Sequence, residues 1–223
     1  MRMTLRVKGE TDMNEKVKKM TLAEYSIRHM RIDEGRETYY RYITADFPPD
    51  EVKPWSVIER MLLRKQYVCL GIYRAGNENL CGYAFLAIQE RGGRKEYLLD
   101  YFAVRKELRG KGIGSWFLAQ MPGCLFDAAC ILLESENPSY ARDEDDRRIR
   151  SRRLSFYKAG GAEDPGLEVC VYGVEYRVLL FATGGSCPLK EAVAAYEMFY
   201  HSFLSDDIYQ KQVRIHPLRQ CND

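Results

Sequence analysis

Arg109-Gly110-Lys111-Gly112-Ile113-Gly114-Ser115 is the stretch on which the reading of this chain turns. It follows the apolar run Tyr97-Leu98-Leu99-Asp100-Tyr101-Phe102-Ala103-Val104. It leads into Trp116-Phe117-Leu118-Ala119-Gln120-Met121, closed by Pro122. The order is strand, glycine turn, helix. Glycines let backbone approach a ligand closely, and the first turn of a helix leaves N–H groups unpaired at the positive end of its dipole. That combination binds phosphate, and Arg109 and Lys111 add positive charge beside it. The spacing predicts a helix over 112–121, with Ile113, Trp116, Phe117 and Gln120 on the stripe that packs on a sheet. No Lys-Ser/Thr pair follows the last glycine, which excludes a nucleoside-triphosphate loop. The glycines stop at Gly114, which excludes the Gly-x-Gly-x-x-Gly dinucleotide fingerprint.

Outward from the turn, residues 67–73, 80–89 and 96–104 are apolar strand-like runs. The first two are joined through Ala75-Gly76-Asn77-Glu78-Asn79, a hairpin signal, and Arg91-Gly92-Gly93-Arg94 turns the chain into the third. Tyr25-Ser26-Ile27-Arg28-His29-Met30 reads as an earlier strand. Residues 37–42 and 51–63 have helical spacing and are separated by the Phe47-Pro48-Pro49 break. Residues 129–134 form the next strand. A charged loop follows, then a helix over 147–159 closed by Gly160-Gly161 as its C-cap. Residues 167–172 and 174–182 make a strand pair turned at Gly173, and 189–204 an amphipathic helix. The alternation predicts an α/β chain with one mixed central β-sheet flanked by helices and a C-terminal helical extension. Residues 1–20 are expected as a charged arm, 21–183 as one domain, and 184–223 as the extension packed on that domain.

Arg109-x-x-Gly112-x-Gly114 resembles the acyl-CoA signature of GNAT-type N-acetyltransferases, (Gln/Arg)-x-x-Gly-x-(Gly/Ala), and the element order over 25–182 is similar to that family's. The resemblance implies the GNAT fold and acetyl-CoA as cosubstrate. It implies transfer of the acetyl group by direct attack of an acceptor amine, on a small molecule, a protein N-terminus or a lysine. Arg109, Gly110, Lys111, Gly112, Ile113, Gly114 and Ser115 would hold the pyrophosphate, and the backbone of Phe102, Ala103 and Val104 would pair with the pantetheine arm. Leu154-Ser155-Phe156-Tyr157-Lys158-Ala159-Gly160-Gly161 is similar to the family's Phe/Leu-Tyr-Glu-Lys-x-Gly-Phe, whose tyrosine protonates the departing thiolate. Tyr157 holds that place, while Lys158 and Gly161 depart from the pattern. Asn137 carries over as a cofactor contact, although residues 139–148 are inserted after it and Arg150 stands at the usual offset from the tyrosine. The alternative is a catalytically silent acyl-CoA-binding sensor or interaction module. A tyrosine acid and a base discriminate the two.

Acyl transfer to an amine also needs a base. Asp100 and Glu134 are the candidates. Asp100 is expected to share a strand face with Leu98, Phe102 and Val104, an apolar setting that raises a carboxyl pKa. Glu134 and Glu136 share a face with Leu132. On the following helix, Ile149, Leu154, Phe156 and Tyr157 span one face with Arg153 inside the arc. Arg153 is therefore expected to be buried and paired with one of those glutamates. Acceptor recognition is expected from residues 46–55, rich in aromatics, and 173–176.

The chain has 223 residues, 46% hydrophobic and 30% charged, with a net charge of +2. That balance suits an ordinary globular protein and gives no overall polyanion binder, so no nucleic acid is expected as partner. The apolar runs are too short to span a bilayer. The charged residues before Met20 lack the apolar core of a signal peptide. Seven cysteines without a Cys-x-x-Cys pair point to the cytoplasm, with Cys69, Cys81, Cys130 and Cys170 expected as buried thiols. His29, His201 and His216 carry no metal spacing, so no metal is expected. The helix over 189–204 leaves a homodimer contact or its own domain open as what it covers.

Overall fold

The computed structural model describes residues 24–49, 51–76, 79–125, 127–183 and 187–216. The expected arm over 1–20, Gly184-Gly185 and Cys221 lie outside them. Eight strands form one sheet: β1 (Tyr25–His29), β2 (Tyr67–Arg74), β3 (Leu80–Arg91), β4 (Arg94–Val104), β5 (Ala128–Glu136), β6 (Glu163–Val171), β7 (Val174–Ala182) and β8 (Val213–Ile215). Their spatial order is β1-β2-β3-β4-β5-β7-β6-β8. Among the described strands only β4 and β5 pair in parallel. Two tight hairpins set the register: Gly92 and Gly93 turn β3 into β4, and Tyr172 and Gly173 turn β6 into β7, all four with positive φ, as paired central residues of such turns require.

Helices cover both faces. On one lie α1 (Ile32–Thr38), α2 (Trp55–Leu63) and α5 (Leu189–Phe203), whose Tyr39, Trp55, Ile58, Tyr196 and Phe199 join Tyr83, Phe85, Leu98, Tyr101 and Leu132 in a single core. On the other lie α3 (Ile113–Cys124) and α4 (Glu144–Ala159), whose Ile113, Phe117, Leu118, Met121, Phe156 and Tyr157 pack with Tyr97, Leu99, Ile131, Leu133 and Leu179. The first helix widens to π geometry over Tyr39–Ile43 before ending at Thr44–Asp46.

Several sequence expectations shift. The first helix begins at Ile32 rather than residue 37, and the second at Trp55 rather than residue 51. Pro122 does not end α3, which runs on to Cys124. The buried stripe of α3 is Ile113, Phe117, Leu118 and Met121, with Gln120 exposed. α4 starts three residues earlier than predicted, because the Asp143 side chain accepts the Asp146 N–H and caps it. Cys69, Cys81 and Cys130 are buried, but Cys170 is only half-buried on an edge-side strand. A short helix α6 (Asp206–Gln212) and strand β8 went unread; three residues pairing with β6 are too few for a period to show.

Candidate active site

The functional region forms where β4 and β5 part. Their parallel ladder ends at Leu99↔Leu133. Past that point β4 stays paired to β3 as far as Val104↔Gly82, and β5 stays paired to β7 as far as Glu136↔Tyr176. Each strand therefore keeps its outer partner and opens its inner edge to a wedge-shaped slit. A β-bulge drives the parting. Phe85 faces Tyr101 and Leu86 faces Leu99, so Asp100 is the extra residue on β4; such an insertion bends the strand and increases its local twist.

The bulge also corrects the expected phase of β4. Leu98 and Tyr101 point to the face of α1, α2 and α5, whereas Phe102 and Val104 join Tyr97 and Leu99 on the face of α3 and α4. Asp100 thus leaves the apolar stripe. Its carboxylate receives the Lys53 ammonium at 2.5 Å on Oδ1 and the Tyr67 hydroxyl at 2.6 Å on Oδ2. Lys53 stands on the loop before α2, so this pair anchors that loop over the sheet.

Glu134 is the first residue of β5 beyond the ladder. Its Oε1 accepts hydrogen bonds from the hydroxyls of Tyr196 and Tyr200, the latter at 2.7 Å. Burial raises its carboxyl pKa, while the two phenols and the Lys53 charge pull it down. Ser135, next in the chain, is 1% exposed, and its Oγ has no partner among the described residues. An orphaned buried hydroxyl beside an open slit fits a site that a ligand completes.

The glycine turn lies against the same end of β4. Gly110 and Gly112 have φ of 77° and 80°, left-handed values that side chains resist. Gly112 is the N-cap of α3 and offers no side-chain cap, which leaves the N–H groups of the first turn facing outward. Ser115 is half-buried and Lys111 exposed. Arg109 is drawn back: its Nε donates to the Val104 carbonyl at 2.9 Å, and its Nη2 lies 3.4 Å from Asp46 at the end of the first helix. A Cβ on Gly114 would stand 3.0 Å from the Phe156 ring and 3.5 Å from Val104, so any side chain there makes the ring give way by a few tenths of an ångström. Phe102, Ala103 and Val104 all lie on the parted segment of β4. The Phe102 ring stacks between Phe117 at 5.2 Å and Phe156 at 6.2 Å.

That stacking sets α4 against the parted segment of β4, with the Tyr157 ring 5.4 Å from Phe156. Among the described residues no group hydrogen-bonds the Tyr157 hydroxyl. Burial raises its pKa and the nearby Arg153 charge opposes the rise, so the phenol is a protonated donor at neutral pH. The face of α4 is rotated from the expected one. Arg150 is the buried arginine, 7% exposed, and reaches Asp146 at 3.0 Å, Glu136 at 3.3 Å and the Asn137 carbonyl at 3.3 Å. Arg153 is exposed and pairs with Glu136 at 2.7 Å, and Ile149 is 54% exposed. An arginine tolerates burial beside a carboxylate and a carbonyl, and a face judged from apolar letters alone misses that. Asn137 is buried, and its Oδ1 accepts the Ser139 N–H at 3.0 Å to cap a 3-10 turn over Pro138–Tyr140.

Three residues of this region had no sequence motif: Lys53, Tyr196 and Tyr200. The last two sit four apart on an amphipathic helix. A glutamate in an apolar strand requires buried donors, and that requirement was the one signal pointing to them. On the face of α2 and α5, a groove of about 1420 Å³ runs past Lys53, Tyr67, Asp100, Tyr200 and Phe203. Among the described residues no group of three or more His, Cys, Asp or Glu could hold a metal ion, and no helix is long and apolar enough to cross a membrane.

The sequence model of the acetyltransferase (GNAT) family matches residues 30–142. No curated protein matches by sequence. Among solved structures, a GNAT-family protein from Bacteroides thetaiotaomicron superposes with a TM-score of 0.58 at 15% identity, covering 79% of this chain and 96% of its own. Another from Desulfovibrio desulfuricans gives 0.53 at 16% identity, covering 72% and 99%. The spermidine N-acetyltransferase of Vibrio cholerae, solved with CoA and spermine, gives 0.52 at 11% identity, covering 72% and 96%. At these identities the likeness is one of fold.

Proposed function

Since the chain belongs to the GNAT acetyltransferase family, we propose that it is an N-acetyltransferase that moves an acetyl group from acetyl-CoA to an amine by direct attack. The observation that carries this reading is the slit. Two inner strand edges open beside an uncapped helix N-terminus, with the Tyr157 phenol, unpartnered among the described residues, on the side of α4 and Glu134 on the side of α5. An extended arm such as pantetheine can pair with an open strand edge. The pyrophosphate fits the N–H groups of Ile113, Gly114 and Ser115, with Lys111 beside them.

In the proposed step the amine nitrogen attacks the thioester carbonyl carbon. The C–N bond forms and the C–S bond breaks. The proton shed by the amine goes to Glu134, and the coenzyme thiolate takes a proton from Tyr157. A carboxyl raised by burial suits a proton acceptor working near neutrality. Asp100, engaged by Lys53 and Tyr67, is assigned to holding the loop before α2 rather than to proton transfer. The acceptor enters from the groove between α2 and α5.

The test is release of coenzyme thiol from acetyl-CoA across a panel of amines: polyamines, aminoglycosides, amino acids and peptides. Tyr157→Phe keeps the ring packing. It should lower kcat by about 10²–10⁴-fold with KM and acetyl-CoA affinity nearly unchanged, because the proton moves only in the transition state. A kcat within twofold of wild type would reduce Tyr157 to a packing residue. Tight acetyl-CoA binding without transfer to any amine would favour a silent binding module.

A further inference from the structure

The family's order of elements is complete at β7, and α5 comes after it. Yet the groups that touch Glu134 come from α5. Tyr196 and Tyr200 sit one helical turn apart, so both face the sheet, with rings 4.8 Å apart. Both hydroxyls donate to the same oxygen, Oε1. Among the described residues no donor reaches Oε2. Burial and the charge of Glu134 hold both phenols well above the usual tyrosine range, so both stay protonated and can only donate to the carboxylate.

We infer that Tyr196 and Tyr200 are positioning residues for the transfer reaction. They clamp Oε1 of Glu134 and leave Oε2 as the oxygen that takes the proton, which makes α5 part of the catalytic apparatus. The inference rests on the reading of Glu134 as base. A carboxylate with rotational freedom would present either oxygen or neither. One fixed by two donors on a packed helix presents a single lone-pair direction, and such fixed geometry is what makes proton transfer efficient. A merely structural contact would satisfy a buried carboxylate equally well but would leave the pH dependence of the reaction alone.

The experiment measures the pH profile of thiol release from acetyl-CoA, with spermidine as added amine and with water alone as acceptor. Infrared titration of the carboxyl band that Glu134→Gln removes accompanies it. Removing one phenol takes a hydrogen bond from the charged form of Glu134 and so raises its pKa. Tyr200→Phe should therefore move the acidic limb of kcat/KM and the infrared midpoint upward together, by about one pH unit, while acetyl-CoA affinity stays as in wild type. Tyr196→Phe should do the same. Tyr196 is fully buried and its variant carries the greater risk to folding, so the half-buried Tyr200 is the decisive position. If Tyr200→Phe slows the reaction without moving the limb, or moves neither, the clamp is structural and the inference falls. If Glu134→Gln keeps both rate and limb, the base itself is wrong. That outcome separates failure of the underlying reading from failure of the clamp.

Discussion

At the scale of single residues, the two arginines of α4 separate burial from mere pairing. Arg150 shares Asp146 and Glu136 in a pocket where its side chain is 9% exposed. Arg150→Ala should cost about 1–3 kcal/mol, because it removes a buried guanidinium from the Asn137 carbonyl as well as from Asp146 and Glu136, although Arg142 and Arg153 still hold the two carboxylates. Arg153 is 46% exposed in its pair with Glu136, and Arg153→Ala should cost less than about 1 kcal/mol; urea denaturation of both variants checks the ratio. Glu34 supplies a pH-dependent counterpart. The Arg28 guanidinium grips both its oxygens, at 2.7 and 3.0 Å, and the Arg31 N–H adds a third bond. Its pKa is thereby held at about 2 instead of 4.5. A depressed carboxylate stabilises the fold above its unfolded pKa and loses that contribution as pH falls through the folded one. Melting temperature should therefore drop between pH 4.5 and 2, and Glu34→Gln should flatten that part of the curve. The residues that carry the family signature were legible because positive φ strongly favours glycine and a strand-turn-helix order fixes where it lies. Which arginine is buried was not legible. That depends on where Asn137 ends its strand and how Asp143 caps the helix, a matter of two or three residues that rotates every side chain on α4.

At the scale of elements, the N-terminus of α3 and the bulge of β4 do different work. Gly112 leads the helix from a left-handed conformation, and a β-branched side chain there is strained and, in the proposed site, stands in the path of the pyrophosphate. Gly112→Val should weaken acetyl-CoA binding at least tenfold by calorimetry while the helix itself persists by circular dichroism. Wild-type affinity in that variant would place the pyrophosphate elsewhere. Strands β2, β3 and β4 could be read from their apolar runs, since each is long and bounded by glycine or asparagine. The bulge at Asp100 could not. An inserted residue leaves no mark in an apolar run, and it reverses which side chains look inward for the rest of the strand. Phe102 and Val104 therefore face α3 and α4 instead of sharing the side of Leu98 and Asp100. For α5 the period was clear, but its target was not: Tyr196 and Phe199 turn out to be spent on the chain's own sheet.

At the scale of the whole molecule, the extension after β7 is tied down twice, by α5 over the sheet and by β8 along the edge of β6. It should unfold with the rest. Trp55 lies on the face shared with α5, and Trp116 on α3 opposite. Fluorescence melts of Trp116→Phe and Trp55→Phe, each reporting one face, should give coincident midpoints. Two separate transitions would make the faces independent units. The slit has a mechanical meaning of its own. It divides the sheet into two leaves of four strands, β1 to β4 and β5 to β8, riveted along five residue pairs from Lys95↔Ala128 to Leu99↔Leu133 and free at the other end. Such a joint should flex like a tuning fork, its prongs being the parted ends of β4 and β5. A cosubstrate lying between the prongs damps them both, so amide exchange in 100–104 and 134–136 should slow together when acetyl-CoA is added, while the rivet at 95–99 stays as it was.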